Sequence, residues 1–160
     1  MGKEAKTNAM RMLERAKIAY EAHEYPHEEG VAVDGVRVAE SMGQNPDCVF
    51  KTLVTQGADK NYYVFVIPVK EELDLKKAAK AVGEKSIDML KAKELLPLTG
   101  YIHGGCSPIG MKKFFRTTID ASARDLDRMY VSAGKVGYQI EIAPADLAKV
   151  IRYEFADVTV

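Results

Sequence analysis

Two stretches decide how this chain folds: Val49-Phe50-Lys51-Thr52-Leu53-Val54 and Tyr62-Tyr63-Val64-Phe65-Val66-Ile67. Both are rich in β-branched and aromatic residues. Between them lies the polar, glycine-containing stretch Gln56-Gly57-Ala58-Asp59-Lys60-Asn61. This pattern predicts a β-hairpin. The second run stays nearly continuously apolar from Tyr62 to Val69, which predicts a central strand covered on both faces. Lys51 interrupts the first run. Alternation puts it on the face opposite Phe50 and Thr52, where an inward lysine needs a partner or a wet pocket. Two readings stand: a solvent-facing lysine on an edge strand, or a cation aimed at a phosphate or carbonyl oxygen.

Working outward, Thr7 to Lys17 has apolar residues at helical spacing with Thr7 or Asn8 as N-cap. Residues 18–25 read as a first strand ended by Pro26, and His27 to Gly35 as a loop. Val36 to Met42 predicts a short helix stopped by Gly43. Asp74 caps a further helix whose inner face is Leu75, Ala78, Ala79 and Val82, ending at Gly83. Lys91 to Leu96 reads as another short helix. Strand-like runs follow at Thr117 to Asp120, Met129 to Ser132 and Tyr138 to Ile142, the last two joined by the turn 133–137. Pro144 opens a helix over Ala145 to Arg152, and Phe155 to Val158 reads as a last strand. Helices mixed with hairpin-joined strands predict a mixed sheet rather than a strict βαβ array.

At 160 residues the chain is short enough for one domain, 1–160, and long enough for a core without staples. Its 23 basic and 23 acidic side chains cancel, which argues against autonomous binding of long nucleic acid. Cys48 and Cys106 form no CxxC pair and no disulfide framework, so a reducing compartment fits. The N-terminus carries charges where a signal peptide needs an apolar run, and no stretch is long enough for a membrane span. These features predict a soluble, cytoplasmic protein without a membrane partner.

The chemistry-bearing candidates are few. Gly105-x4-Gly110 has the spacing of a phosphate-binding loop. Met111 stands where that loop needs lysine, and Lys112 where it needs Ser or Thr. Pro108 removes one donor. Paired glycines at 104 and 105 fit either a structural turn or a backbone that approaches a ligand and presents N–H groups. His103 and Cys106 lie close in sequence, but no third residue orients them as a nucleophilic pair. The histidines and cysteines lack zinc-site spacing, so no metal is expected. Lys112-Lys113-Phe114-Phe115-Arg116 mixes cations with aromatics. It reads either as a nucleic-acid contact or as a solvated face with one phenylalanine tucked into the core.

Together these segments resemble a known family. Val49-Phe50-Lys51-Thr52-Leu53, Leu73-Asp74-Leu75-Lys76-Lys77, Thr99-Gly100-Tyr101, Gly104-Gly105-Cys106-Ser107-Pro108-Ile109-Gly110-x-Lys112-Lys113 and Tyr130-Val131-Ser132-Ala133-Gly134-Lys135 are similar, in order, to the YbaK family of Cys-tRNA(Pro) deacylases. The resemblance implies a compact α/β (α+β) fold with a mixed, strongly curved sheet and flanking helices. It implies hydrolysis of the ester joining a wrong amino acid to tRNA(Pro), without a cofactor.

By position, the resemblance implies that Lys51 is the key lysine and that Tyr25 and Thr52 line its pocket. It also implies that Gly104 offers an N–H near the scissile carbonyl, with Gly105 beside it, and that Ser132 closes the site. Gln139 stands where the family often has an acid, so the substrate ammonium loses a charged partner there. The family's mechanism uses the substrate's own thiol as nucleophile. Lys112, Lys113 and Arg116 are candidates for tRNA contact. The implied partners are the acceptor end of tRNA(Pro) and prolyl-tRNA synthetase in a ternary complex, with this chain a monomer or weak dimer. A binding module without catalysis, or a deacylase for another amino acid, would carry the same loop and lysine.

Overall fold

The computed structural model describes residues 6–28 and 31–160. Glu29 and Gly30 of the predicted loop, and the charged start Met1 to Ala5, lie outside the described residues. The hairpin is present as β2 (Phe50–Gly57) and β3 (Tyr62–Pro68), antiparallel, with Lys51 opposite Ile67 and Thr52 opposite Val66. β3 is central in a sheet that also holds β4 (Ile87–Met89), β5 (Arg116–Asp120) and β8 (Tyr153–Ala156), in the order β4-β2-β3-β5-β8. β5 runs parallel to both neighbours and the β2 pairings are antiparallel, so this sheet is mixed as the pattern predicts.

The pleat of β3 builds two cores. Val64 and Val66 face one, with Phe50, Val54, Ile119, Ile140 and Leu13. Tyr63, Phe65 and Ile67 face the other, against α3 (Leu75–Val82). Every residue from Tyr63 to Pro68 is buried, which is why this run tolerates no polar residue.

The remaining strands form a second sheet rather than continuing the first. β1 (Glu21–Glu24), β7 (Tyr138–Ile142) and β6 (Met129–Ser132) lie in the order β1-β7-β6, all antiparallel. Among the described residues one parallel bridge, Val49 to Tyr130, connects the two sheets. Sequence alternation predicts each of these strands but carries no information on which sheet they join.

The helices follow their caps. α1 (Asn8–Arg15) starts where the Thr7 hydroxyl accepts from the Met10 N–H at 3.1 Å. α2 (Gly35–Ser41) starts where Asp34 accepts from Arg37 N–H, and α3 where Asp74 accepts from the Lys76 and Lys77 N–H groups.

Four expectations need correction. Leu75 is 40 % exposed and not on the inner face of α3, because it is the first residue of the helix and lies ahead of the packed turn. α4 (Ala92–Thr99) continues through Pro97 to its cap at Gly100, since the proline gives up only one hydrogen bond, that to the Lys93 carbonyl in the first turn. The predicted helix over 145–152 is only α5 (Pro144–Leu147), and its would-be last turn passes instead into β8. The last strand begins two residues early, at Tyr153, and ends at Ala156.

Candidate functional site

The site follows from where β2 loses a neighbour. β4 pairs only with Thr55, Gln56 and Gly57. Along residues 50–53 β2 has β3 on one side and, among the described residues, no strand on the other. The open edge faces β6 across the Val49–Tyr130 bridge, and a cavity of about 290 Å³ lies there. Because it runs along an edge, residues from both faces of the pleat border it. Lys51 and Thr52 both do, although alternation points them opposite ways.

Of the residues singled out from sequence, Tyr25, Lys51, Thr52, Gly104, Ser132 and Gln139 all line this cavity. They come from β2, β6, β7, the chain after β1 and the glycine loop. Val38, Val49, Leu53, Val69 and Val131 supply its apolar walls. Lys51 is half-buried and makes no hydrogen bond or ion pair among the described residues. Thr52 Oγ1 is buried and lacks a partner.

The two glycines of the loop differ. Gly105 N–H donates to the Ile102 carbonyl at 2.9 Å, so it is spent on the turn. Gly104 N–H has no acceptor among the described residues. Gly104 adopts φ +87°, and a Cβ there would lie 2.6 Å from the Ala32 Cβ. At Gly105 a Cβ would lie 3.0 Å from the Val136 N, because the loop packs backbone to backbone on the 133–137 turn. Glycine is needed at both positions, and the expected pair of donors reduces to one.

The remaining wall is held by hydrogen bonds. Tyr25 N–H donates to the Gly137 carbonyl at 2.8 Å, and His27 Nδ1 donates to the Tyr25 carbonyl at 2.7 Å. Ser132 Oγ accepts from the Gly134 N–H at 3.1 Å, which fixes the start of the 133–137 turn. Gln139 is 3 % exposed, and its Oε1 accepts from the Gln44 side-chain amide. Gln44 Oε1 in turn is buried without a partner.

Neither cysteine is an activated nucleophile. Cys106 borders the cavity, but burial pushes its thiol up to about 12, with the Thr99 hydroxyl pulling weakly the other way. Burial, and then the Asp47 carboxylate, raise the Cys48 thiol as well. Thiolates carry the reactivity, so both stay inert near neutral pH.

Lys112, Lys113 and Arg116 do not reach this cavity. Lys112 Nζ donates to the Pro97 carbonyl at 3.3 Å. Arg116 donates to the Val82 carbonyl at 3.2 Å and pairs with Glu154 at 3.7 Å. Lys113 borders a separate groove beside Phe114.

Several lining residues escape a sequence reading. Tyr130 is two residues before Ser132 on β6, so period-two alternation is the signal that would have found it. Asp34 also lines the cavity and is its one carboxylate among the described residues; His103, singled out from sequence only beside Cys106, lines it as well. Away from the cavity, Glu21, His23 and Glu141 bring ligand atoms within 4.8 Å of one another. Arg128 Nε donates to Glu141 at 3.2 Å, so a cation already serves that cluster.

Residues 30–150 match the model of the aminoacyl-tRNA editing domain. The chain belongs to that family. It is 48% identical over 154 residues to EbsC of Enterococcus faecalis, a protein named as a Cys-tRNA(Pro)/Cys-tRNA(Cys) deacylase, covering 96% of this chain and 93% of that one. It is 27% identical over 117 residues to the proline–tRNA ligase of Shouchella clausii, covering 72% of this chain but 20% of the ligase. Among solved structures, one described as a trans-editing enzyme for prolyl-tRNA synthetase superposes with a TM-score of 0.83 at 22% identity, over 98% of this chain and 99% of that one. The hypothetical protein APE2540 superposes with a TM-score of 0.85 at 19% identity, over 96% and 100%. These two share the fold.

Proposed function

We propose that this chain, as a single domain over 1–160, hydrolyses cysteine wrongly esterified to tRNA(Pro). It would act in trans beside prolyl-tRNA synthetase in the cytoplasm. The observation that carries this reading is the content of the cavity. It offers one unpaired lysine and one free backbone N–H, while both protein thiols are held protonated. A site so equipped can polarise an ester, and neither protein thiol is an activated nucleophile. A cysteinyl ester brings a thiol of its own. The 48% identity to a protein named for this deacylation supports the same substrate.

In this mechanism the substrate's sulfur attacks its own ester carbonyl, forming the C–S bond. The oxyanion that develops meets the Gly104 N–H, a preorganised donor. The C–O bond to the ribose then breaks. The ribose oxygen leaves with the proton given up by the thiol, and water later opens the cyclic thioester. Intramolecular attack gains from proximity, so the protein need only orient the ends. Lys51 anchors the terminal adenosine or its phosphate. At about 290 Å³ the cavity holds the aminoacyl group and little more, a volume near the low end for small-molecule sites.

The test is hydrolysis of purified Cys-tRNA(Pro). Lys51→Ala should abolish deacylation with the circular dichroism spectrum unchanged, and Cys106→Ala should keep most activity. The same tRNA carrying serine or alanine should react far more slowly. Equal rates for the three amino acids would rule out attack by the substrate thiol. No hydrolysis of any of them would leave a binding module.

A further inference from the structure

A second groove of about 440 Å³ lies outside the editing cavity, between α1, the end of the glycine loop and the segment before β8. Its walls are apolar, with Met12, Phe115 and Ile151 among them. Two cations, Lys113 and Arg152, stand at its border and no carboxylate does. Both are exposed, and neither has an ion pair or hydrogen bond among the described residues. This separates them from Lys112 and Arg116, whose head groups are already engaged.

The adjacent phenylalanines also divide. Phe115 packs edge-on against Tyr62 with ring centroids 5.7 Å apart. Phe114 has no ring partner among the described residues and is 58 % exposed at the groove. An open aromatic face with two unpaired cations and no anion matches one ligand chemistry: a base to stack and a phosphate to pair.

The sheet register gives the separation from the editing cavity. Thr52 borders that cavity and lies opposite Val66, which lies opposite Ile119; Thr117, two residues back on β5, borders the second groove. Two strand spacings across and two residues along amount to roughly 12 Å through the sheet, a lower bound on the surface path because Val66 and Ile119 between them are fully buried. A stacked single strand needs at least three nucleotides for that, at about 3.4 Å each.

We propose that this groove binds a nucleotide of the single-stranded acceptor end of tRNA, about three positions from the esterified adenosine, with its base on Phe114 and its phosphate between Lys113 and Arg152. The inference rests on the editing reading for its ligand. It replaces the trio read from sequence with Lys113, Arg152 and Phe114.

The experiment pairs two measurements on the full chain and on Phe114→Ala, Phe114→Trp, Lys113→Ala and Arg152→Ala. The first is deacylation kinetics with Cys-tRNA(Pro) and with 3′-cysteinyl-adenosine, which is too short to reach the groove. The second is direct binding of uncharged tRNA(Pro). Loss of the Phe114 ring should raise KM for the tRNA about tenfold, the scale of one lost stack, with kcat unchanged. Phe114→Trp should restore it, and either cation variant should raise KM and flatten its salt dependence. All variants should match the wild type on the short ester.

Unchanged KM for the tRNA, or equal losses on both substrates, would overturn the proposal. So would a loss seen only when prolyl-tRNA synthetase is present, since the groove would then dock protein. If the wild type hydrolyses neither substrate, the editing reading fails and binding alone decides the groove. Weaker binding of uncharged tRNA by Phe114→Ala upholds it, and unchanged binding removes it.

Discussion

Gln139 and Asp34 show what single residues decide at this site. A buried glutamine facing its Gln44 partner can orient a substrate but cannot neutralise an ammonium. The carboxylate bordering the cavity is Asp34, and it also caps α2 by accepting from the Arg37 N–H. Its two duties can be separated, because asparagine caps a helix about as well as aspartate. Asp34→Asn should therefore leave the melting temperature within a degree or two while raising KM for Cys-tRNA(Pro) severalfold through loss of charge. An unchanged KM with unchanged stability would show that the ammonium is held without charge. Lys51 and Gly104 stand out in sequence because each breaks its local pattern, a cation in an apolar strand and paired glycines in a loop, whereas Thr52, a β-branched residue in a strand, is reached only through the family resemblance. Asp34 does not stand out, since an aspartate before a glycine is fully accounted for as a cap.

At the level of elements, the central hairpin was legible because β3 is buried on both faces and must be apolar throughout. The short edge strand β4 was not. Its three residues, with Asp88 and Met89 exposed, carry no pattern distinguishable from a turn. Nor was the open edge of β2, which exists only because β4 is short enough to stop at Thr55. The small sheet is held differently from the large one. Glu141 on β7 ties it together, meeting His23 of β1 at 2.8 Å and Arg128, just before β6, at 3.2 Å. The His23 hydrogen bond, followed by Arg128, holds the Glu141 carboxyl below the usual glutamate range. A carboxyl lowered in the folded state contributes stability above its unfolded value, and that contribution drains away as pH falls through the folded value. Melting temperature should thus fall between neutral pH and the acid side of the glutamate range. In Glu141→Gln it should start lower at neutral pH and fall less steeply. Parallel curves for the two proteins would show that Glu141 does not couple pH to the small sheet.

For the whole molecule, the balance of 23 basic and 23 acidic side chains now has a structural counterpart. Among the described residues six lysines and arginines are in ion pairs, Lys77 with Asp157 and Lys149 with Asp146 among them. Of those without a partner among the described residues, Lys51 borders the cavity along β2 and Lys113 and Arg152 border the second groove, while others such as Lys60, Lys80, Lys91 and Lys93 lie outside both. No described helix is long and apolar enough to cross a membrane. If Lys51, Lys113 and Arg152 alone meet the tRNA, about three phosphates are neutralised and few counterions are released. On a single strand the slope of log K against log salt should then be near −2, at roughly 0.7 per neutralised phosphate. Titrating uncharged tRNA(Pro) between 50 and 300 mM salt, roughly the range over which such slopes are read, measures it. A slope steeper than about −5 would require a grip on the duplex by charges outside these two sites. A shallow slope has a consequence for selection. With so few contacts, all near the acceptor end, the protein has little means of telling one tRNA from another, so identity must come from a partner holding the rest of the molecule. Adding prolyl-tRNA synthetase should lower KM for Cys-tRNA(Pro) and leave KM for cysteine on another tRNA unchanged. Equal effects on both would place tRNA choice in this chain after all.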